Sequence, residues 1–179
     1  MKYRRIYING ATYFFTVVTF NRRKIFQSYQ SILLLNEAME YVVQRKPFQV
    51  LAYVILPDHI HYIWTLPEGS SDYSTRWRLI KSYFTREVCK DGRTSEVDSR
   101  KKKGEQDIWQ RRFWEHLIRD ETDLTRHIEY IHYNPVRHGL VDSANKWSYS
   151  SFMDYVQMGL YPLNWGASEK VWSGSESIE

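Results

Sequence analysis

The sequence predicts an α+β fold: a ferredoxin-like antiparallel sheet with helices on one side. Three observations support this prediction. The candidate elements run strand, helix, strand, strand, helix, strand, helix; a tight turn alone separates the two adjacent strands; and 42% of the 179 residues are hydrophobic, with 16% aromatic. That order fits the split β-α-β arrangement. The length suits one domain with an aromatic-rich core, which we expect over residues 1–165, followed by a flexible tail over 166–179.

The first half of the chain predicts a strand, a helix and a hairpin. Residues 12–20, TYFFTVVTF, are dense in aromatic and β-branched side chains, as in a buried strand, and the basic turn NRRKIF follows. Over residues 28–45 apolar side chains recur at three- and four-residue steps, which predicts a helix that Pro47 closes. Residues 48–66 predict two strands, separated by the turn signal Pro57–Asp58.

The second half predicts two further helices around a last strand. The first helix is expected from about residue 74 to 88. Residues 91–107 are polar without periodicity and predict an exposed loop. A strand is expected around 113–118. The next helix has Asp120 as its candidate N-cap and Pro135 as its limit, and a short helix in an aromatic-rich segment completes the chain.

The composition excludes several classes of protein. No run of 18 apolar residues is present, so no transmembrane helix and no membrane partner are expected. The N-terminus lacks the apolar region of a signal peptide. Cys89 is the single cysteine of the sequence, which excludes an internal disulfide and a cysteine-based zinc cluster. We therefore expect a cytoplasmic protein, and its net charge of +4 is compatible with nucleic acid without establishing it.

Two histidines stand one residue apart in the second strand of the hairpin. Side chains at i and i+2 of a strand point to the same face, so His59 and His61 should converge while Ile60 turns to the core. Two neighbouring imidazoles favour the neutral form, which can bind a metal ion. On spacing alone, a metal site and two ordinary surface histidines are about equally supported.

A second group of candidate residues lies in HIEYIHYNPVRHGLV, residues 127–141. Tyr130 and Asn134 are four apart and share a helix face, which would bring a phenol and an amide oxygen to one point. An amide oxygen suits Mg²⁺ or Mn²⁺, and nearby imidazoles favour Mn²⁺ or another transition ion. Structural readings remain open, because the chain has fourteen tyrosines and Asn-Pro is a common helix stop. The histidines of this segment are read as surface residues or phosphate contacts.

Together the two groups suggest a reaction at phosphorus. A metal ion held by His59, His61 and Asn134 would polarise a phosphodiester beside the Tyr130 hydroxyl. The tyrosine would attack phosphorus and form a covalent phosphotyrosine, and the released 3′-hydroxyl could attack in turn. DNA would then be cut and rejoined without an external energy source.

At this point the sequence resembles a known family, the single-tyrosine HUH transposases, and more closely the REP-associated tyrosine transposases. The resemblance covers most of the chain, in several blocks in the same order: YRRIYINGATYFFTV, VILPDHIHYIWTLPEG, RWRLIKSYFT, IWQRRFWEH and YIHYNPVRHG. It implies an HUH endonuclease core, His59, His61 and Asn134 as ligands of Mg²⁺ or Mn²⁺, and Tyr130 as the nucleophile. Asn134 stands where the broader transposase group has Gln.

The resemblance also implies a partner, single-stranded or hairpin DNA from repetitive extragenic palindromes, and hence a nucleoid-associated protein. We expect a monomer, with a dimer as the alternative. Candidate DNA contacts are basic residues from several segments: Arg4, Arg5, Arg22, Arg23, Lys24, Arg76, Arg78, Lys81, Arg111, Arg112 and Arg137. Bases could stack on Trp77, Trp109 or Trp114, although core packing is the better interpretation of these rings.

Two other functions remain open from the sequence. One is a domesticated protein that binds hairpin DNA without cutting it. The other is a nuclease in which water, rather than tyrosine, attacks phosphorus. The lack of a carboxylate-rich cluster beside His59 and His61 argues against the nuclease, with Asp58 and Glu115 as the nearest candidate carboxylates. Glu115 and His116 are also candidates to orient a ligand, and a purely structural role is preferred.

Overall fold

The structure is a computed structural model that describes residues 5–90 and 106–167. Arg4 lies outside the described residues. So do most of the predicted loop over 91–107 and most of the predicted tail over 166–179.

Four antiparallel strands form the sheet, in the order β2-β3-β1-β4. Their bounds are β1 Thr12–Val18, β2 Gln49–Ile55, β3 His59–Thr65 and β4 Trp114–Leu117. The order of strands and helices along the chain gives the split β-α-β arrangement. The predicted antiparallel sheet and α+β class are confirmed, and β2 and β3 are joined by the predicted turn at Pro57–Asp58.

Two helices form one layer against the sheet. Helix α1, Tyr29–Arg45, follows Ser28, and helix α2, Tyr73–Val88, begins at Asp72, whose carboxylate accepts a hydrogen bond from the Thr75 amide at 2.9 Å. Both bounds agree with the sequence prediction within one residue. The two helices pack against each other and bury the apolar stripes of α1 and α2 over the sheet.

Helix α3, Glu121–Arg137, begins at the predicted cap: the Asp120 carboxylate accepts from the Asp123 amide at 2.8 Å. The prediction that Pro135 limits this helix is wrong, because the helix continues to Arg137. Its end is set by Gly139, which has a φ of +66°. The amides of Gly139 and Leu140 donate back to the carbonyls of Val136 and Pro135 and close the last turn.

Helices cover both faces of the sheet, which corrects the prediction of helices on one side. Phe15 and its neighbours at every second position face α1 and α2, whereas Phe14 and Ile63 face Tyr130 and Ile131 of α3. We call these two surfaces the α1–α2 face and the α3 face. The correction has a simple cause: both faces of β3 are buried, so the residue pattern of the strand does not show which face a third helix covers.

The last described segment closes one edge of the sheet. Helix α4, Phe152–Gln157, lies beside β2. Ser151 and Tyr149 bond the backbone of Tyr53 and Ile55, which protects an edge strand from pairing with another chain. Within the described ranges, no helix has the length and apolar character needed to cross a bilayer.

Candidate active site

His59 and His61 lie together on the α3 face, as their spacing predicts. Their ring centroids are 4.9 Å apart with the ring planes nearly perpendicular. Both side chains are buried, and Ile60 between them is buried on the α1–α2 face. The strand therefore places two imidazoles in the interior between β3 and α3, where polar groups need a partner.

Each of these rings is oriented through its Nδ1 atom. His59 Nδ1 lies 2.6 Å from Asp58 Oδ1, and His61 Nδ1 lies 2.9 Å from Thr16 Oγ1 on the neighbouring strand. Histidines that bind metals are commonly held in this way through the nitrogen that does not contact the metal. The Nε2 atoms are therefore the candidate ligand atoms.

The charges around the pair favour neutral imidazole at His61. Burial lowers the pKa of His61 well below its usual value, and the neighbouring His59 and His138 lower it further. Partial burial would raise the pKa of Asp58, but bonds from His59 and Arg22 outweigh it, and the net pKa is lowered. The result is an ionised carboxylate supporting an imidazole pair that includes a neutral ring.

Helix α3 brings Tyr130 to this pair. The Tyr130 ring centroid lies 5.4 Å from that of His61. The guanidinium of Arg137 is 5.3 Å from the Tyr130 ring centre, in cation–π range. Tyr130 is 3% exposed. The exposed guanidinium of Arg137 therefore places positive charge over one face of the Tyr130 ring.

Asn134 follows Tyr130 by one helical turn and is fully buried. Among the described residues, neither its amide oxygen nor its amide nitrogen has a hydrogen-bond partner. Leaving such a group unsatisfied costs about 1–3 kcal/mol, so its retention points to a ligand. Together with the two imidazoles, this amide oxygen would make a donor set that suits a divalent cation such as Mn²⁺. The residues present therefore fit the predicted metal ion.

His138 is a member of this group that the sequence reading did not single out. Its ring centroid lies 5.2 Å from that of His59. The available signal was the four-residue step from Tyr130 through Asn134 to His138, which places all three on one side of α3. The interpretation of His127 and His132 as surface residues is wrong, because both are buried. His132 bonds Ser151 Oγ at 2.8 Å, and burial lowers its pKa to about 3.

The carboxylates considered for a water-based nuclease are placed differently. Glu115 pairs with Phe15 across the strands, so its side chain is on the α1–α2 face, where Arg5 lies 3.5 Å away. Asp58 is engaged by His59 and Arg22. Glu115 and His116 therefore point to opposite faces of β4, and His116 alone shares the face of His61.

The candidate DNA contacts fall into two groups. On the α3 side, Arg22 forms an ion pair with Asp58 at 3.3 Å, Arg23 and Lys24 are exposed beside it, and Arg137 covers Tyr130. A second group lines a groove of about 630 Å³ between α2 and residues 106–113. Its basic members are Arg5, Arg78, Lys81, Arg86 and Arg111.

Some of the candidate contacts turn out to be structural. The buried guanidinium of Arg76 donates to the carbonyls of Lys46, Pro47 and Asp72 and to Ser70 Oγ, so four of its five N–H groups are used within the fold. Trp77 and Trp109 are buried in the core, so the core interpretation of these two rings is confirmed. Trp114 is half-buried and stacks on His116.

Comparisons with known proteins agree with this geometry. The family model described as "Transposase IS200 like" matches residues 7–134. A protein of Escherichia coli (strain K12), a REP-associated tyrosine transposase, is 43% identical over 179 residues, covering 99% of this chain and 98% of its own. A solved structure of a REP-associated tyrosine transposase bound to a REP hairpin matches with a TM-score of 0.78 and 40% identity, covering 100% of this chain and 99% of that one.

Proposed function

The chain belongs to the REP-associated tyrosine transposases, within the family of IS200-like transposases, and from this premise we propose how it cuts and rejoins DNA. The proposed substrate is single-stranded DNA beside a palindromic hairpin. The proposed intermediate is a covalent 5′-phosphotyrosine at Tyr130. We further propose that the protein acts as a monomer in the cytoplasm, on the nucleoid.

The observation that carries this proposal is the polar patch at one end of the α3 face. His59 and His61 lie beside the Tyr130 ring, and the next turn of α3 adds the unsatisfied amide of Asn134. Burying such groups costs stability, so a functional reason is needed. His59, His61 and Asn134 would hold Mg²⁺ or Mn²⁺, and imidazole ligands favour Mn²⁺. When bound, the ion supplies Lewis-acid polarisation of the phosphodiester.

The chemical step assigned to the protein is displacement at phosphorus. The Tyr130 phenol loses its proton, its oxygen forms a bond to phosphorus, and the bond from phosphorus to the 3′-oxygen breaks. The 3′-oxygen takes up a proton and leaves as a hydroxyl. Attack by a 3′-hydroxyl on the phosphotyrosine reverses these bond changes and rejoins a strand. Arg137, over the Tyr130 ring, contributes positive charge where the phosphate must enter.

The hairpin is the proposed substrate because a relative of 40% identity is a REP-associated tyrosine transposase bound to a REP hairpin. The exposed basic residues near the patch, Arg22, Arg23, Lys24 and Arg137, suit a phosphate backbone. Arg5, Arg78 and Lys81 in the groove beside α2 suit a single strand that extends from the hairpin.

The test uses a labelled hairpin oligonucleotide with a single-stranded flank, incubated with the protein and Mn²⁺ or Mg²⁺. We expect a covalent protein–DNA band on a denaturing gel. Tyr130→Phe should lose this band by at least about 1,000-fold and keep hairpin binding in a filter assay. Tyr133→Phe is the matched control, since Tyr133 is on the same helix but not beside His61, and it should keep the band.

Other outcomes discriminate between functions. An adduct that persists in Tyr130→Phe contradicts the nucleophile assignment. Cut DNA without an adduct indicates that water attacks phosphorus. Hairpin binding with neither product, over several palindromes and both metal ions, indicates a domesticated DNA-binding protein.

A further inference from the structure

A second group of metal-binding side chains lies at the other end of the α3 face. His116 comes from β4, and Asp123 and His127 come from the first two turns of α3. One ring nitrogen of each histidine and one carboxylate oxygen lie within 4.8 Å of one another. Asp123 and His127 are buried and His116 is half-buried. We call these three residues the His116 cluster.

The side chains of the His116 cluster already converge on the carboxylate. His116 Nε2 is 2.9 Å from Asp123 Oδ2. His127 Nδ1 is 3.3 Å from Asp123 Oδ1 and donates to the Asp123 carbonyl oxygen at 2.7 Å, so the lone pair of the neutral His127 ring is on Nε2. The two imidazoles stack with centroids 4.6 Å apart and planes at 17°. Two protonated rings at this separation would repel each other, so at least one of the two rings is neutral and can act as a ligand.

The protonation states agree with this geometry. Burial raises the pKa of Asp123, but hydrogen bonds from Arg119 and His116 outweigh it and hold the pKa well below its usual range. Burial lowers the pKa of His127, which favours the neutral ring. An ionised carboxylate and a neutral imidazole are the forms that bind metal ions.

The Asp123 carboxylate is paired with Arg119, a partner that a metal ion could replace. Its backbone amide and its Nε both donate to Asp123 Oδ2 at 3.1 Å. The Arg119 side chain is nevertheless 69% exposed, so the guanidinium can turn into solvent at little cost. A cation bound by the His116 cluster would take its place as the counter-charge of Asp123.

We propose that His116, Asp123 and His127 form a second metal site, for a transition cation of the Zn²⁺ class, which ties the start of α3 to β4. Two imidazole nitrogens and one carboxylate oxygen are a common ligand set for Zn²⁺ and a poor one for Mg²⁺. The site is distinct from the His59–His61 pair, because the Phe14 ring stands between them. Phe14 lies 5.0 Å from the ring of His127 and 5.3 Å from that of His61.

The site is independent of the proposed cleavage reaction, so its test measures metal binding alone. The double variant His59→Ala, His61→Ala lacks the first pair of candidate metal ligands and is the background for the test. We expect this protein to bind one equivalent of Zn²⁺, measured by competition with a chromophoric chelator. Co²⁺ in its place should give the visible absorption of a site with nitrogen and oxygen ligands.

Two further variants in the same background separate the site from chance binding. His127→Ala should weaken Zn²⁺ binding at least about 100-fold. Arg119→Ala should strengthen it several-fold, because it removes the competing cation from Asp123 and leaves all three ligand side chains in place. Binding that His127→Ala leaves unchanged indicates adventitious zinc and overturns the proposal, as does the absence of binding in both the background protein and its Arg119→Ala form. Circular dichroism of each variant verifies that it is folded.

Discussion

The two faces of the sheet are built from alternate residues of the same strands, yet they differ in kind. On the α1–α2 face, Phe15, Trp64 and Trp77 form a packed aromatic core. On the α3 face, Phe14 contacts His61, His127 and Tyr130. Both faces bury hydrocarbon, but the buried imidazoles of His61 and His127 are on the α3 face, whereas the α1–α2 face buries the carboxylate of Glu115 beside Arg5.

This difference shows that the two faces of one sheet contribute differently to the stability of the fold and to the candidate active site. Aromatic burial on the α1–α2 face stabilises the fold. The buried imidazoles and amide on the α3 face cost free energy unless they are paired. Because neighbouring strand residues point to opposite faces, one strand serves both purposes without compromise between adjacent positions.

The largest effect is expected from a matched pair on β1, Phe14→Leu and Phe15→Leu. Both rings are fully buried, so each substitution should lower the free energy of unfolding by about 1–3 kcal/mol in urea titrations. Only Phe14→Leu should also slow adduct formation, by about 100-fold, because Phe14 positions the rings of His61 and Tyr130. Equal rates of adduct formation per folded molecule in the two variants would show that the α3 face does not position the candidate active site more than the α1–α2 face does.

A second effect is acid sensitivity from the α3 side. The pKa of His132 is lowered to about 3 in the folded protein, against about 6.5 in the unfolded chain. Below about pH 6.5 the unfolded chain therefore takes up a proton at His132 that the folded protein does not bind. The free energy of unfolding falls as the pH drops through this range. Between pH 7.5 and 5, His132 alone should account for about 2 kcal/mol. Urea titrations at pH 7.5 and pH 5 should show that the free energy of unfolding of His132→Gln falls by about 2 kcal/mol less than that of the unchanged protein. An identical fall in the two proteins would contradict the assignment to His132.

The third effect concerns the free energy of unfolding that the protein loses by burying the Asn134 amide. Leucine has nearly the same shape as asparagine, and it removes an amide without partners among the described residues. With EDTA present, Asn134→Leu should raise the free energy of unfolding by about 1 kcal/mol, while Mn²⁺ binding by calorimetry falls. The same change at exposed Asn36 on α1 is the control, with a gain of no more than about 0.5 kcal/mol. A destabilised Asn134→Leu protein would mean that the amide is satisfied within the fold.

The smallest effects should come from the two basic groups, and they determine whether DNA contacts both sides of the sheet. Arg137→Ala on the α3 side and Arg78→Ala in the groove beside α2 should each weaken hairpin binding a few-fold. Each should reduce the slope of log affinity against log salt by about 1. Arg45→Ala is the control, since Arg45 packs on Tyr41 of α1. An effect of Arg137→Ala alone would confine the DNA to the α3 side.

Local patterns predicted most of the elements because their causes are local. The caps Asp72 and Asp120 satisfy amides three residues away, and alternation along β3 placed His59 and His61 on one face. The end of α3 was predicted wrongly because Pro135 was given more weight than Gly139. The positive φ of Gly139, with the hydrogen bonds from its amide and the next one back to the last turn, ends the helix.

The sequence by itself determined the α+β class, the convergence of His59 with His61 and the shared helix face of Tyr130 and Asn134. These follow from the periods of strands and helices. Only the tertiary structure decided that α3 covers the face opposite α1 and α2, that Tyr130 meets His61, and that His138 lies beside His59. The physical reason is that β3 is buried on both faces, so hydrophobic patterning does not select a side. Packing between segments far apart in the chain makes that choice.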